Sequence, residues 1–318
     1  MYKQNKITGI HHITAITGDP QTNVDFYTGI LGLLLIKKTV NFDAPEVYHL
    51  YFGDETGTPG SVLTFFSFDN FSKAVKGHGE VSTISFSIDE NALEFWIQRL
   101  EKFNVSYKEP FSRWNETVVC FEDHEGLSLE LVANNKDKRT GFEVPGIRLN
   151  NSIKGFYGAT LLVENQQETA SILIDVMNHQ LILKNDQRFR YTSTNLPGSF
   201  IDIIVNSETD TAIQGIGSVH HIAFQTANLE SQQSIREELL TRINYVTPVI
   251  DRYYFQSIYF REPGRILFEI ATNGPGFLID ECIENFGSSL KLPYWLEPKR
   301  ESIEGHLKPV RVNTQEYV

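Results

Sequence analysis

The chain has 318 residues, 41% hydrophobic and 21% charged, the balance of a globular protein long enough for two domains or a duplicated unit. Its net charge of −12 disfavours nucleic acid and anionic membranes as partners, and no apolar run approaches the roughly 20 residues that span a bilayer. The two cysteines, Cys120 and Cys282, lie in unrelated contexts, and Met1–Lys6 holds no apolar signal segment, so a cytoplasmic protein is expected.

The first predicted element is a strand over Ile10–Ile16 that carries the pair His11-His12. Asp19-Pro20 then reads as a helix cap with proline in the first turn, and the helix runs over Asn23–Leu31 to a stop at Gly32. Gly60–Phe66 closes the first unit as a strand. A second unit opens with a strand at Val81–Ile88, continues with a helix over Glu90–Phe103 capped by Asp89, and closes at Gly126–Leu131. Lys, Asp, Asn, Gly and Pro mark Asn134–Ser152 as a linker between halves. The third unit reads as a strand at Phe156–Val163, a helix over Gln167–Met177 and a closing strand at Gly198–Ile203. The fourth reads as Val219–Thr226, a helix over Leu229–Ile243, and Gly264–Ile270. The repeat pattern stops after Gly274.

The chain is therefore four βαβββ units, with His12, Thr83, Gly158 and His221 equivalent at intervals of 71, 75 and 63 residues. The fold class expected is α+β. Two units per half give domains at 1–145 and 152–275, followed by a C-terminal extension at 276–318. A gap-free match of Gly60–Phe66 with Gly264–Ile270 places Phe65 at the position of Glu269, and puts Glu130 and Asp202 one residue out of register with it.

The histidine pair recurs as His220-His221, again in apolar, β-branched sequence. Strand alternation puts His12 and Thr14 on one face, and His221, Ala223 and Gln225 on one face. Glu269 sits in the run Ile266–Ala271, where an unpartnered carboxylate costs several kcal/mol. A divalent cation is such a partner. Two imidazoles and one carboxylate form the facial triad of non-haem Fe(II) oxygenases, with open positions for substrate and O2. Neither half alone supplies two histidines on equivalent strands, so the first and fourth units are expected to meet around the metal. The second and third then pair with each other without one.

Other residues read more plainly. Phe65, Phe66 and Phe68 are expected in the core, with Phe65 a candidate to line the pocket. His78, His124, His179 and His306 are expected to be solvated, and His49 is the one that a neighbouring strand can turn inward. Cys120 reads as a small core residue.

A four-fold βαβββ repeat with these histidines resembles the vicinal oxygen chelate superfamily, which includes glyoxalases, bleomycin resistance proteins and extradiol dioxygenases. With His11-His12-Ile13-Thr14, His220-His221-Ile222-Ala223, Arg252-Tyr253-Tyr254, Tyr259, Glu269 and the tail Leu292–Pro298, the chain is most similar to hydroquinone ring-cleaving dioxygenases. The resemblance implies half-open barrels, Fe(II) (or Mn(II)) held by His12, His221 and Glu269, and His11, Thr14, His220, Arg252 and Tyr259 around it. It implies a small aromatic substrate and O2 as partners, 1,2-cleavage of para-diphenols, and a place in quinone detoxification or aromatic breakdown. A homo-oligomer is compatible with this composition. A three-residue loop at Pro263–Arg265 would pair Glu262 with Ile266 and set Tyr259 across from Glu269. Arg252, at opposite strand parity to Tyr259, then belongs to a bend. The competing functions are a glyoxalase-like lyase or thiol transferase, disfavoured by the missing second acid, and a metal-free binding protein, disfavoured by Glu269.

Overall fold

A computed structural model describes residues 7–318; the expectation for Met1–Lys6 lies outside the described residues. The strands of the first two units are β1 (Ile10–Thr17), β2 (Leu34–Asn41), β3 (Ala44–Gly53), β4 (Val62–Ser67), β5 (Glu80–Asp89), β6 (Phe111–Arg113), β7 (Glu116–Glu122) and β8 (Ser128–Asn134). Those of the last two are β9 (Phe156–Val163), β10 (Gln180–Lys184), β11 (Arg188–Thr192), β12 (Phe200–Val205), β13 (Val219–Thr226), β14 (Ile250–Asp251), β15 (Phe255–Arg261) and β16 (Leu267–Pro275).

They form two eight-stranded sheets, ordered β14-β15-β16-β13-β1-β4-β3-β2 and β10-β11-β12-β9-β5-β8-β7-β6. The first and fourth units thus share one sheet, and the second and third share the other. In each sheet the first strands of two units meet antiparallel at the centre, β1 with β13 and β5 with β9. The helices pack behind the sheets, and their apolar stripes join one large core containing Trp96, Leu100, Leu173, Ile235 and Leu239.

The local signals act as expected at the helix starts. Asp19 accepts the N–H of Thr22 at 2.8 Å, and Asn165 and Asn228 accept those of Gln167 and Ser231 at 2.9 Å each. Two helices differ in their second half. Pro20–Val24 widens into a π-helix over Asp25–Ile30, and Gln166–Ser171 does the same over Ile172–Val176. The fourth helix ends at Leu239 rather than Ile243.

The closing strands correct the gap-free alignment. Thr14, Ser85, Thr160 and Ala223 each lie two residues past the equivalent first-strand positions. They pair with Thr64, Glu130, Asp202 and Glu269. The position of Glu269 is therefore filled by Thr64 in the first unit, and Glu130 and Asp202 are in register with it. The turn backbone gives the reason. A left-handed residue precedes this position by four in every unit: Gly60 (φ 93°), Gly126 (93°), Gly198 (91°) and Arg265 (74°). Glycine marks the turn in three units. In the fourth, a non-glycine residue takes that conformation, and Gly264 is a neighbour.

The C-terminal extension packs on the site face of the first sheet, where Phe277 joins Tyr51, Val62, Ala223 and Ala271. Lys37, fully buried, pairs with Asp280 at 2.7 Å and Glu281 at 2.8 Å, and Lys38 bridges Leu290. Among the described residues no helix is long and apolar enough to cross a membrane.

Candidate metal centre

The central strands of the first sheet bring the two histidine pairs together. His12 pairs with Ala223 and Thr14 with His221, so the two imidazoles meet diagonally on the concave face. The parallel neighbour β16 places Glu269 beside Ala223. The Nε2 atoms of His12 and His221 are 3.4 Å apart, and lie 3.4 and 2.9 Å from Glu269 Oε2. All three ligand atoms fall within 4.8 Å of one another, and all three residues are buried. Despite these distances, no hydrogen bond of acceptable geometry reaches Oε2. A buried carboxylate oxygen facing two ring nitrogens, with no donor aligned to it, fits a shared cation at that point. Burial alone would raise the carboxyl's pKa, but His12 and His221 override it and hold it well below the usual carboxylate range.

The other atoms of the three residues are occupied. Ser257 donates to Glu269 Oε1. His12 Nδ1 lies 2.9 Å from His11 Nδ1, and His221 Nδ1 lies 2.7 Å from His220 Nδ1. With a metal on Nε2 the proton would sit on Nδ1, so each of these rings would donate to its preceding neighbour, which would then carry its proton on Nε2. Burial, reinforced by the adjacent ring, pushes His11 and His220 down to about 3, so both stay neutral.

A cavity of about 350 Å³ opens over this cluster. His12, His221, His220, Arg252 and Tyr259 line it. Tyr259 pairs with Glu269 across the hairpin, and Glu262 N–H donates to Ile266 O at 3.0 Å, as the three-residue loop requires. Arg252 lies on the bend after β14, where Tyr253 takes φ 68°. Its Nε donates to the Tyr259 hydroxyl at 3.1 Å and its Nη1 reaches Asp43 at 2.9 Å. Burial, and then the Glu269 charge, push the Tyr259 pKa far above its ordinary value. Thr14 is fully buried below the cavity, with its hydroxyl 2.7 Å from that of Thr64.

Some of the remaining residues lie where the sequence suggests and others do not. His49 does turn inward, with Nε2 2.9 Å from Thr64 and Nδ1 2.9 Å from the Tyr51 hydroxyl. Tyr51, Ser257 and Phe255 had not been singled out, although Ser257 shares strand parity with Tyr259. Phe65 does not line the pocket. It is fully buried against Tyr27 and Phe52, while Phe66 and Phe68, on the face of Thr64, line the cavity. His179 is not solvated: it is 2% exposed, packed near Phe224, and burial lowers it to about 4.

The second sheet has no histidine at the equivalent positions, Thr83 and Gly158. Its two acids are neutralised by arginine. Arg113 grips Glu130 at 2.7 and 3.0 Å, and Arg190 grips Asp202 at 2.7 and 3.0 Å. Arg188 adds a 2.8 Å contact to Asp202, and Arg190 also binds Glu116. Cys120, beside Glu130, is raised by burial to about 11 and remains a thiol.

Residues 9–131 match the model of the Glyoxalase/Bleomycin resistance protein/Dioxygenase superfamily. A Bacillus subtilis strain 168 protein named "Putative ring-cleaving dioxygenase MhqO" is 44% identical over 96% of this chain and 98% of its own. The chain belongs to this superfamily. The Chlorohydroquinone/hydroquinone 1,2-dioxygenase of Sphingobium indicum is 31% identical over 95% of this chain and 97% of its own. A crystal structure of a "putative dioxygenase from Bacillus subtilis subsp. subtilis str. 168" superposes with a TM-score of 0.91 at 44% identity, covering 98% of this chain and 99% of that one. Maize glyoxalase I shares the fold alone, at a TM-score of 0.62 and 12% identity, over 83% of this chain and 92% of its own.

Proposed function

We propose that this superfamily member is an Fe(II)-dependent dioxygenase that opens hydroquinones between ring carbons 1 and 2. The observation that carries the reading is the unsaturated donor set: two histidines and one acid converge at the floor of a cavity, and Thr64 stands where a second acid would complete a closed ligand shell. Full-length similarity to a hydroquinone 1,2-dioxygenase supports the substrate class. Iron(II) held by His12, His221 and Glu269 would supply a redox-active centre where a phenol oxygen and O2 meet; Mn(II) accepts the same donors.

The chain's own residues do the rest. Hydroquinone's hydroxyls are too far apart to chelate, so the remote one needs a protein partner. Tyr259 accepts from Arg252, which leaves its own hydroxyl proton free to donate to that oxygen. Arg252 places a fixed positive charge beside oxygen that gains negative charge. The aromatic walls exclude water. Both oxygen atoms enter the product: carbon 1 becomes a carboxylic acid and carbon 2 an aldehyde. Such a product suits quinone detoxification or aromatic breakdown in a cytoplasmic setting.

The test is metal analysis of anaerobically purified protein joined to oxygen uptake. Iron near one per chain is expected, with uptake on hydroquinone and none on catechol. Bound iron with no uptake on any diphenol would overturn the reading.

A further inference from the structure

Three cavities meet at one side chain, Leu267. It lines the 350 Å³ metal cavity, a second of about 590 Å³ and a third of about 420 Å³. Leu267 lies two residues before Glu269 on β16, so it shares the face of Glu269, and it pairs with Arg261 across the hairpin. It is half-buried.

Aromatic rings and one ion pair form much of the rest of the metal cavity's lining. His49 packs against Tyr51 and Phe66 with ring centroids 4.0 and 4.4 Å away, and Phe255 lies 5.0 Å from His12. Arg252 and Asp43 bridge another side at 2.9 Å. Thr247 and Tyr259 border both the metal cavity and the second cavity, but backbone bonds lock them together: Thr247 N–H donates to Tyr259 O at 3.0 Å, and Tyr259 N–H to Thr247 Oγ1 at 2.9 Å. That leaves Leu267 as the apolar, rotatable part of the partition.

The second cavity is an apolar groove. Ile243, Tyr245 and Pro263 line it, and Tyr245 is 68% exposed. Arg242 at its rim pairs with Asp175 at 2.8 Å, and Arg261 donates to the Arg265 carbonyl at 2.9 Å. We propose that Leu267 is the specificity-determining partition between the metal pocket and this groove. The ring sits at the metal and an unbranched apolar substituent passes Leu267 to lie along Ile243 and Tyr245. The substrate class is then para-diphenols with an alkyl-like chain, an inference that rests on the ring-cleaving reading.

The experiment is anaerobic binding to the iron-loaded protein, followed by turnover, with hydroquinone and its 2-methyl, 2-propyl and 2-hexyl derivatives. Affinity is expected to rise about two- to fourfold per added methylene, the gain for burying each one partly or fully. Leu267→Trp, which blocks the passage, and Tyr245→Ala, which removes the groove's wall, should each flatten that rise. Should Leu267→Trp fail to fold, Tyr245→Ala carries the test, because that side chain is exposed. Affinity that falls with chain length in the wild type, or an equal rise in the variants, overturns the proposal. Wild-type protein that turns over no diphenol at all sinks the ring-cleaving reading, whereas normal hydroquinone turnover with a flat chain-length profile sinks the partition alone.

Discussion

His220 Nδ1 and His221 Nδ1 lie 2.7 Å apart, and this contact decides which nitrogen of His221 is left for a metal. The His11–His12 contact at 2.9 Å repeats it on the other strand. On the proposed reading the doubled histidine is a ligand and its orienting partner, built twice. Removing the partner frees the ligand ring to rotate and to protonate on the wrong nitrogen. His11→Ala and His220→Ala are each expected to weaken metal binding about 10- to 100-fold while the sheet stays intact. Competition against a calibrated chelator measures this. Affinity within twofold of the wild type in both variants would refute the orienting role.

Tyr259 gives a different signature. Burial and the nearby Glu269 charge raise its pKa far above 10, so it is a neutral donor across the working range. Tyr259→Phe should leave metal content unchanged and lower kcat/KM for hydroquinone about 100- to 1,000-fold, within the range for losing a positioned proton donor. The wild-type pH–rate profile should show no descending limb from this group below pH 10. Loss of iron in Tyr259→Phe would mean that the residue supports the metal instead.

Much of this arrangement was legible in the sequence, and the exceptions have a common cause. Phe156–Val163 and Val219–Thr226 appear as strands with the expected limits, and both histidine strands meet as their distribution required. Alternation within a strand depends only on that strand. Register between strands depends on turn geometry, and there the reading slipped by one residue. The left-handed turn residue is glycine at 60, 126 and 198 but Arg265 in the fourth unit, so matching glycine to glycine shifted Phe65 into the place of Thr64. Since side chains alternate, a one-residue slip exchanges the core face with the site face. His179 was hidden for another reason: its burial comes from packing against Phe224, a residue distant in sequence.

The buried histidines set the acid behaviour of the metal-free protein. Burial lowers His179 to about 4 and His11 and His220 to about 3, and His49 is also well below its ordinary 6.5. Each is neutral when folded and gains a proton on unfolding below about pH 6.5. The unfolded state then binds more protons, so stability is full above that pH and falls as pH drops toward the folded values. The slope is about 1.4 kcal/mol per pH unit for each fully linked histidine. His179 lies away from the metal, and its Nδ1 is 3.1 Å from Met177 O. His179→Gln should make the fall in Tm between pH 7 and 5 shallower by about one histidine's share. A parallel fall in variant and wild type would exclude His179 as a contributor.

In the second barrel a guanidinium stands against the acid that matches Glu269 in register. Glu130 occupies the register position of Glu269, is 4% exposed, and is compensated by Arg113. Burial alone would raise its pKa, but Arg113 lowers it below the ordinary value. Arg113→Ala leaves a buried carboxylate unpaired, at a cost of about 3–5 kcal/mol. With the partner gone, burial dominates and the folded pKa rises above the unfolded one, so the variant loses stability as pH rises through the unfolded pKa. The destabilisation should therefore be larger at pH 8 than at pH 5 in urea unfolding. Adding Glu130→Gln to Arg113→Ala removes the stranded charge and should recover part of the loss at pH 8 and little at pH 5. An equal loss at both pH values, with no recovery in the double variant, would mean that Arg113 acts through packing rather than charge.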